Sequence, residues 1–162
     1  MRLLLQRVSR ARVDIDGRPV GEIGQGLLVL AGFGKADTPG LPDTRLWSAL
    51  CAKLFDLRVF PDAAGKLNLS LRDAVQSGQG GGLLLVSQFT LYADVRRGRR
   101  PSFTDAAPPD VARALYERLA ADLAAQCPGV FAQGVFGAEM QLDFVNSGPV
   151  TILLDSADFA GA

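Results

Sequence analysis

Apolar and polar positions alternate, imperfectly, with a period of two from Arg2 to Asp16, which predicts a long strand. Regular alternation sets Leu3, Leu5, Arg7, Ser9 and Ala11 on one face and Leu4, Gln6 and Val8 on the other. Asp16-Gly17-Arg18-Pro19 supplies a turn and so a hairpin, and the uninterrupted run from Gly26 to Gly32 reads as a buried strand between glycines. The period then changes. Between Pro42 and Leu57, Leu46, Leu50, Leu54 and Leu57 recur at helical spacing beside Trp47, Cys51 and Phe55, giving an amphipathic helix. A short strand at 58–60, a Pro-Asp-Ala-Ala-Gly turn and the glycine stretch Gly78 to Gly82 lead into Leu83 to Tyr92, which reads as a central strand. Pro108-Pro109-Asp110 opens a second helix with Val111, Leu115, Leu119 and Leu123 on one stripe, and Cys127-Pro128-Gly129 stops it. Strand patterns return at 130–136, at 139–146 with Met140, Leu142 and Phe144 on one face, and at 150–154. Strand runs separated by two main amphipathic helices predict an α+β fold, with a mostly antiparallel sheet or barrel-like β core and the helices packed against it.

Composition narrows the chemistry more than the fold. A length of 162 residues, with 48% hydrophobic and 21% charged positions, fits a single globular domain spanning 1–162. Lys+Arg and Asp+Glu are both 17, so attraction to a polyanion must come from a local patch. The chain contains no histidine, which removes most of the prior for Ser-His-Asp triads, zinc sites and imidazole acid/base catalysis. Cys51 and Cys127 are far apart and outside any CxxC spacing, as expected of small core or helix-end residues rather than metal ligands or a disulfide. Met1 to Leu5 is too short for a signal segment and no apolar run approaches a membrane span, so the expected address is cytoplasmic.

Four segments carry candidate chemistry. The glycines at 78–82 lack a following Gly-Lys-Ser/Thr and precede a strand, so they read as a turn and not as a phosphate loop; Gly32-Phe33-Gly34-Lys35 reads the same way. Arg96, Arg97, Arg99 and Arg100 bracket Gly98 ahead of Pro101, either as a phosphate-contacting loop or as a loop that is solvated or paired with carboxylates. Ser87-Gln88-Phe89-Thr90-Leu91 sets polar groups at the end of an apolar strand, where they either meet a ligand or satisfy local backbone. A regular strand would put Gln88 and Thr90 on one face, and Thr90 has no histidine to deprotonate it. Asn146-Ser147-Gly148-Pro149-Val150-Thr151, between two apolar runs, is either a tight turn or a place where a ligand approaches bare backbone.

Those last two segments together resemble the D-aminoacyl-tRNA deacylase (D-tyrosyl-tRNA deacylase) family. Gln6 to Ala11, Gly26 to Leu30, Asn68 to Leu71, Gly98 to Phe103 and Phe136 to Ala138 resemble it in the same order, so the likeness runs from Met1 to about Ser156. Ser147 stands where an acidic residue is frequent, and the stretch 78–82 is longer than usual.

The resemblance implies a cytoplasmic homodimer that hydrolyses the ester joining a D-amino acid to the terminal adenosine of tRNA, and also glycine mischarged on the alanine acceptor. It needs no cofactor or metal. It implies a pocket of Ser87, Gln88, Phe89 and Thr90 in one subunit, facing a Gly148–Pro149 cis pair from the other across the interface, with Arg7 helping to hold that pair. The backbone near Phe89 and Thr90 would stabilise the oxyanion with help from the ribose 2′-hydroxyl, Thr90 would position substrate, and Arg96, Arg97, Arg99 and Arg100 would meet tRNA. An activated ester makes the absent histidine intelligible. The rival class is a noncatalytic tRNA-binding protein that keeps the pocket and the arginine loop. A free D-amino-acid enzyme would need a flavin or pyridoxal group, for which no dinucleotide fingerprint exists.

Overall fold

The computed structural model describes residues 1–159. In chain order the elements are β1 (Arg2–Ile15), β2 (Arg18–Ile23), β3 (Gly26–Gly32), α1 (Arg45–Asp56), β4 (Phe60–Pro61), β5 (Leu67–Leu69), α2 (Leu71–Gln76), β6 (Gly82–Ser87), α3 (Pro109–Gln126), β7 (Val130–Gln133) and β8 (Gln141–Asp155). β1 is the spine. Its first half pairs antiparallel with β3, its second half with β2, and β8 runs antiparallel along nearly its whole length. β3, β6 and β7 are mutually parallel, because α1 and α2 fill the connection from β3 to β6 and α3 fills the one from β6 to β7. β2 returns against β7, where bare Gly21 lets the Gln133 carbonyl come within 3.0 Å of the position a Cβ would take, so the mixed sheet nearly closes into a barrel. β4 and β5 form a separate two-stranded ribbon.

The apolar runs of β3 and β6 are continuous because both faces of these strands are buried. Leu27, Val29, Leu83 and Leu85 face the main core beneath the helices, while Leu28, Leu84 and Val86 face a second core with Val8, Val13 and Ile23. Met140, just ahead of β8, and Leu142 and Phe144 of β8 close that second core, on one face as the alternation predicts. α1 and α3 supply Trp47, Leu50, Leu54 and Phe55, and Leu115, Leu119 and Leu123, to the main core. Thr44 caps α1 by accepting the Trp47 N–H at 3.2 Å, and Pro109 opens α3. Cys51 is buried in the core and Cys127 follows the last turn of α3, both as free thiols.

Several expectations change; the strand expected at 130–136 ends at Gln133 and the one expected at 58–60 begins only at Phe60. Pro42 belongs to a separate 3-10 turn at Leu41–Asp43, and α1 begins at Arg45. α2 was not expected; Ser70 and Asp73 form a capping box across its start, a signal present in the sequence. The strand expected over 83–92 ends at Ser87, and the chain coils into a 3-10 turn at Phe89–Tyr92. The two strands expected at 139–146 and 150–154 are one strand, β8. The alternation along β1 does not stay in phase either. Val8 faces Asn146 and Arg10 faces Val145, so Ser9 is the extra residue of a bulge, and beyond it Ala11 and Val13 join Val8 in the second core instead of continuing the face of Leu3 and Leu5.

Candidate active site

The parallel strands β3 and β6 deliver Ala31 and Ser87 side by side at their carboxyl ends. The Gln88 N–H donates to the Ala31 carbonyl at 2.7 Å, which extends the pairing by one residue before the chain turns. Position 32 must be glycine: a Cβ there would lie 2.7 Å from the Gln88 carbonyl oxygen and 3.2 Å from Leu91 Cβ. Within the turn, Gln88 Nε2 donates to Thr90 Oγ1 at 2.6 Å, so those two side chains meet although the strand expected to align them has ended. The first bond of the turn is Leu91 N–H to the Gln88 carbonyl, 3.3 Å, with the N–H groups of Phe89 and Thr90 ahead of it.

The turn is held from outside by Arg2. Its Nη1 donates to the Leu91 carbonyl at 2.7 Å, its Nε to Asp155 at 2.8 Å, and the guanidinium lies 4.6 Å from the centre of the Tyr92 ring. Burial, with Asp37 and Asp155 nearby, pushes the Tyr92 hydroxyl well above its ordinary range, so it stays protonated. Nothing in the sequence pattern marked Arg2 beyond its place at the start of a strand.

Beside the turn lies a cavity of about 680 Å³, floored by Ala31, Gly32, Val86 and Ser87 and walled by Phe33, Phe89, Phe103, Pro108, Phe136 and Met140. Phe89, 56% exposed, meets Phe103 edge to face with ring centres 4.9 Å apart. The polar side chains of the lining are those of Ser87, Gln88 and Thr104; none of the lining residues carries a charge or titrates near neutrality. Ser87, Gln88 and Phe89 are therefore brought together in one cavity, and Thr90 adjoins it through Gln88. Phe103, Thr104 and Phe136 are cavity residues that the sequence analysis did not single out for chemistry.

Gly148 and Pro149 do not line this cavity. Gln6 pairs with Thr151 and Val8 with Asn146, so residues 147–150 are extruded from the ladder opposite Arg7, and Gly148 and Pro149 are exposed. The segment bulges within one strand and reverses nothing, which corrects the tight-turn reading. Asn146 closes its base, accepting the Val150 N–H at 3.2 Å and donating to Thr151 Oγ1 at 2.9 Å. The Gly148–Pro149 bond is cis and Gly148 has φ +118°. Arg7, 9% exposed, reaches the bulge from β1: Nε donates to the Ser147 carbonyl at 3.1 Å and Nη1 to that of Val59.

The arginine loop leaves the turn at Asp94 and rejoins the body at Ser102, one residue before the cavity wall. Arg96 is paired with Asp94, whereas the described residues offer no partner to Arg97, Arg99 or Arg100. Pairing with a carboxylate therefore occurs at Arg96, and the other three arginines are exposed.

Fold and cavity together define a small α+β protein whose apolar site offers hydroxyl, amide and backbone groups but no acid or base. The family model described as D-Tyr-tRNA(Tyr) deacylase matches residues 4–155. A D-aminoacyl-tRNA deacylase of Nitratidesulfovibrio vulgaris is 60% identical over 158 residues, covering 98% of this chain and 94% of the relative. One from Solidesulfovibrio magneticus is 57% identical over 162 residues, covering 100% and 99%. Among solved structures, one described as c-Myc DNA Unwinding Element Binding Protein superposes with a TM-score of 0.81 at 37% identity, covering 96% of this chain and 98% of that one. A probable eukaryotic D-amino acid tRNA deacylase, at TM-score 0.78 and 20% identity over 94% of this chain and 97% of that one, shares the fold. The chain belongs to the D-Tyr-tRNA(Tyr) deacylase family.

Proposed function

We propose that this chain, a hydrolase of the D-aminoacyl-tRNA deacylase class, cleaves the ester between a D-amino acid and the terminal adenosine of tRNA in the cavity at Ser87, Gln88 and Phe89. The observation that carries the reading is a cavity free of titratable side chains, in a chain of this family. An aminoacyl ester is already activated, so orientation and oxyanion stabilisation are the contributions such a site can make. Water adds to the ester carbonyl with the ribose 2′-hydroxyl assisting. The backbone N–H groups of Phe89 and Thr90 receive the developing oxyanion, and collapse releases the free amino acid and the 3′-hydroxyl of the tRNA. Thr90, tied to Gln88 and without a base, positions substrate and forms no covalent intermediate.

Handedness is tested by backbone. The exposed Gly148–Pro149 bulge, absent from its own chain's cavity, enters the cavity of a second copy in a homodimer. There its carbonyls occupy the space an L side chain would need; a D side chain points elsewhere, and glycine passes, including glycine mischarged on the alanine tRNA. Arg97, Arg99 and Arg100 meet the phosphates of the tRNA, with Arg96 in the same loop. No helix among the described residues is long and apolar enough to cross a membrane, which is compatible with work on tRNA in the cytoplasm.

A second reading, nucleic-acid binding without catalysis, is favoured by the name of the 37% identical structural relative. Matched D-, L- and glycyl-tRNA decide between the two. Deacylation of the D and glycyl esters with the L ester spared, without added metal, supports the enzyme; binding with no ester loss supports the alternative. A crystal structure with a D-aminoacyl adenosine mimic bound away from Gly148 and Pro149 would overturn the cross-subunit model while leaving the activity standing.

A further inference from the structure

The arginine loop is not a uniform cationic patch. Asp94 and Ser102 close its base by exchanging backbone bonds, Asp94 N–H to Ser102 O at 2.7 Å and Ser102 N–H to Asp94 O at 2.9 Å. The Asp94 carboxylate then binds a single residue three times. Oδ1 accepts the Arg96 N–H at 3.0 Å and Arg96 Nε at 2.8 Å, and Oδ2 accepts Arg96 Nη2 at 2.7 Å. This bidentate fork turns the Arg96 guanidinium back towards the base of the loop and fixes the backbone direction at its first corner. Gly98, at φ +70°, makes the bend that follows, and Arg97 before it and Arg99 and Arg100 after it are exposed, with no acceptor among the described residues. The loop rejoins the body next to Phe103 and Thr104 of the cavity wall.

We propose that Asp94 is a positioning residue for nucleic-acid binding: by holding Arg96, whose side chain stays 80% exposed, it fixes the first corner of the loop and so presents Arg97, Arg99 and Arg100 as a three-pronged phosphate contact to the acceptor end of tRNA. The inference rests on the reading above that this loop meets tRNA. It assigns a carboxylate, which by charge alone opposes a polyanion, the role of strengthening its binding.

That opposition makes Asp94→Asn decisive. The variant gains a unit of positive charge relative to the wild type, so if the loop acts only through its field, tRNA binds more tightly and with a steeper salt dependence. If Asp94 positions the loop, Asp94→Asn weakens uncharged tRNA about 3- to 10-fold at fixed salt and makes the plot of log affinity against log salt shallower. Arg96→Ala has the same effect as Asp94→Asn, and the double variant is no worse than either, because both break one pair. Ala substitution at Arg97, Arg99 or Arg100 flattens the slope by about 0.7–0.9 each, the loss of one phosphate contact. Turnover of 3′-O-(D-aminoacyl)adenosine, which lacks the acceptor-stem phosphates, stays within about twofold of wild type in Asp94→Asn, whereas its kcat/KM for D-aminoacyl-tRNA falls with affinity. Tighter binding by Asp94→Asn, or an equal loss on the adenosine substrate, overturns the role of Asp94. An unchanged slope in the Arg97, Arg99 and Arg100 triple variant overturns the tRNA reading of the loop itself, an outcome distinct from the first.

Discussion

Gly148→Ala tests how the exposed bulge is built. The φ of +118° at this position lies where an L side chain is strained, at a cost of about 1–3 kcal/mol. The new Cβ would also lie 2.6 Å from Arg7 Nη2, 3.1 Å from Val150 Cγ2 and 3.3 Å from the Val150 nitrogen. A guanidinium at the end of a long side chain usually swings away cheaply. This one does not, because Arg7 is buried and its Nε and Nη1 are committed to the carbonyls of Ser147 and Val59. Displacing it gives up a charge-assisted bond worth about 1.5–3 kcal/mol. The unrelaxed total is about 2.5–6 kcal/mol; because the bulge is exposed and can shift, about 2–4 kcal/mol is expected, a drop in Tm of about 5–15 °C for a chain of this size. Urea unfolding at fixed protein concentration measures it, in Gly148→Ala, Arg7→Ala and the double variant. With Arg7 gone, Gly148→Ala costs only the backbone term, so the cycle shows a coupling of about 1.5–3 kcal/mol. A cost below 1 kcal/mol, or zero coupling, refutes the argument that a pinned arginine makes glycine obligatory here.

Arg2→Ala removes the donor to the Leu91 carbonyl and frees the turn that carries Phe89 and Thr90, so kcat for D-aminoacyl-tRNA falls about 10- to 100-fold with KM little changed, Arg2→Lys recovering part of it; a change in KM alone would count against a positioning role. Ser70→Ala costs about 1 kcal/mol by removing the cap of α2. The hydroxyl and N–H of Ser70 hold the Asp73 carboxyl below its usual range, and Arg10 does the same for Asp143, so their stabilisation is present above pH about 4 and is lost as pH falls through the lowered values; urea midpoints should fall below pH 4 in the wild type and less steeply in Ser70→Ala. Burial pushes the Cys51 thiol up to about 12, so it should resist a disulfide reagent at pH 8 until the chain unfolds, and stability should fall above pH about 9, where only the unfolded thiol ionises; rapid native labelling at Cys51 would contradict its burial.

Helices α1 and α3 were legible because each carries an apolar stripe long enough to show its period, and β3 and β6 because both faces are buried and the runs are unbroken. The parallel arrangement of β3, β6 and β7 was not legible in those runs, since a doubly buried strand looks alike in either direction; it follows from the helical connections. The end of β6 was misjudged for a related reason. Phe89, Leu91 and Tyr92 are apolar enough to prolong a strand, but Phe89 turns to wall the cavity and Tyr92 to pack on Arg2. The capping pair Ser70 and Asp73 was readable and announces α2.

The site was legible only where its chemistry is local. Gln88 and Thr90 meet because they are two residues apart, and the arginines share a loop because they are consecutive, but which arginine is spoken for depends on Asp94, whose relevance is geometric. Arg7 and Gly148 are the harder case, separated by most of the chain. Their meeting depends on two departures from regular pairing between β1 and β8: the extruded residues 147–150 opposite Arg7, and the single extra residue Ser9 just beyond. With regular pairing throughout, every residue from 147 to 150 would be held in the ladder, and neither the exposed Gly148–Pro149 face nor the Arg7 bond to Ser147 would exist. Register belongs to the pair of strands and not to either one, so no alternation read along β1 alone can reveal it. The interrupted alternation after Val8 is its only trace in one strand, and it marks the point of the sheet where backbone is released from pairing to face outward.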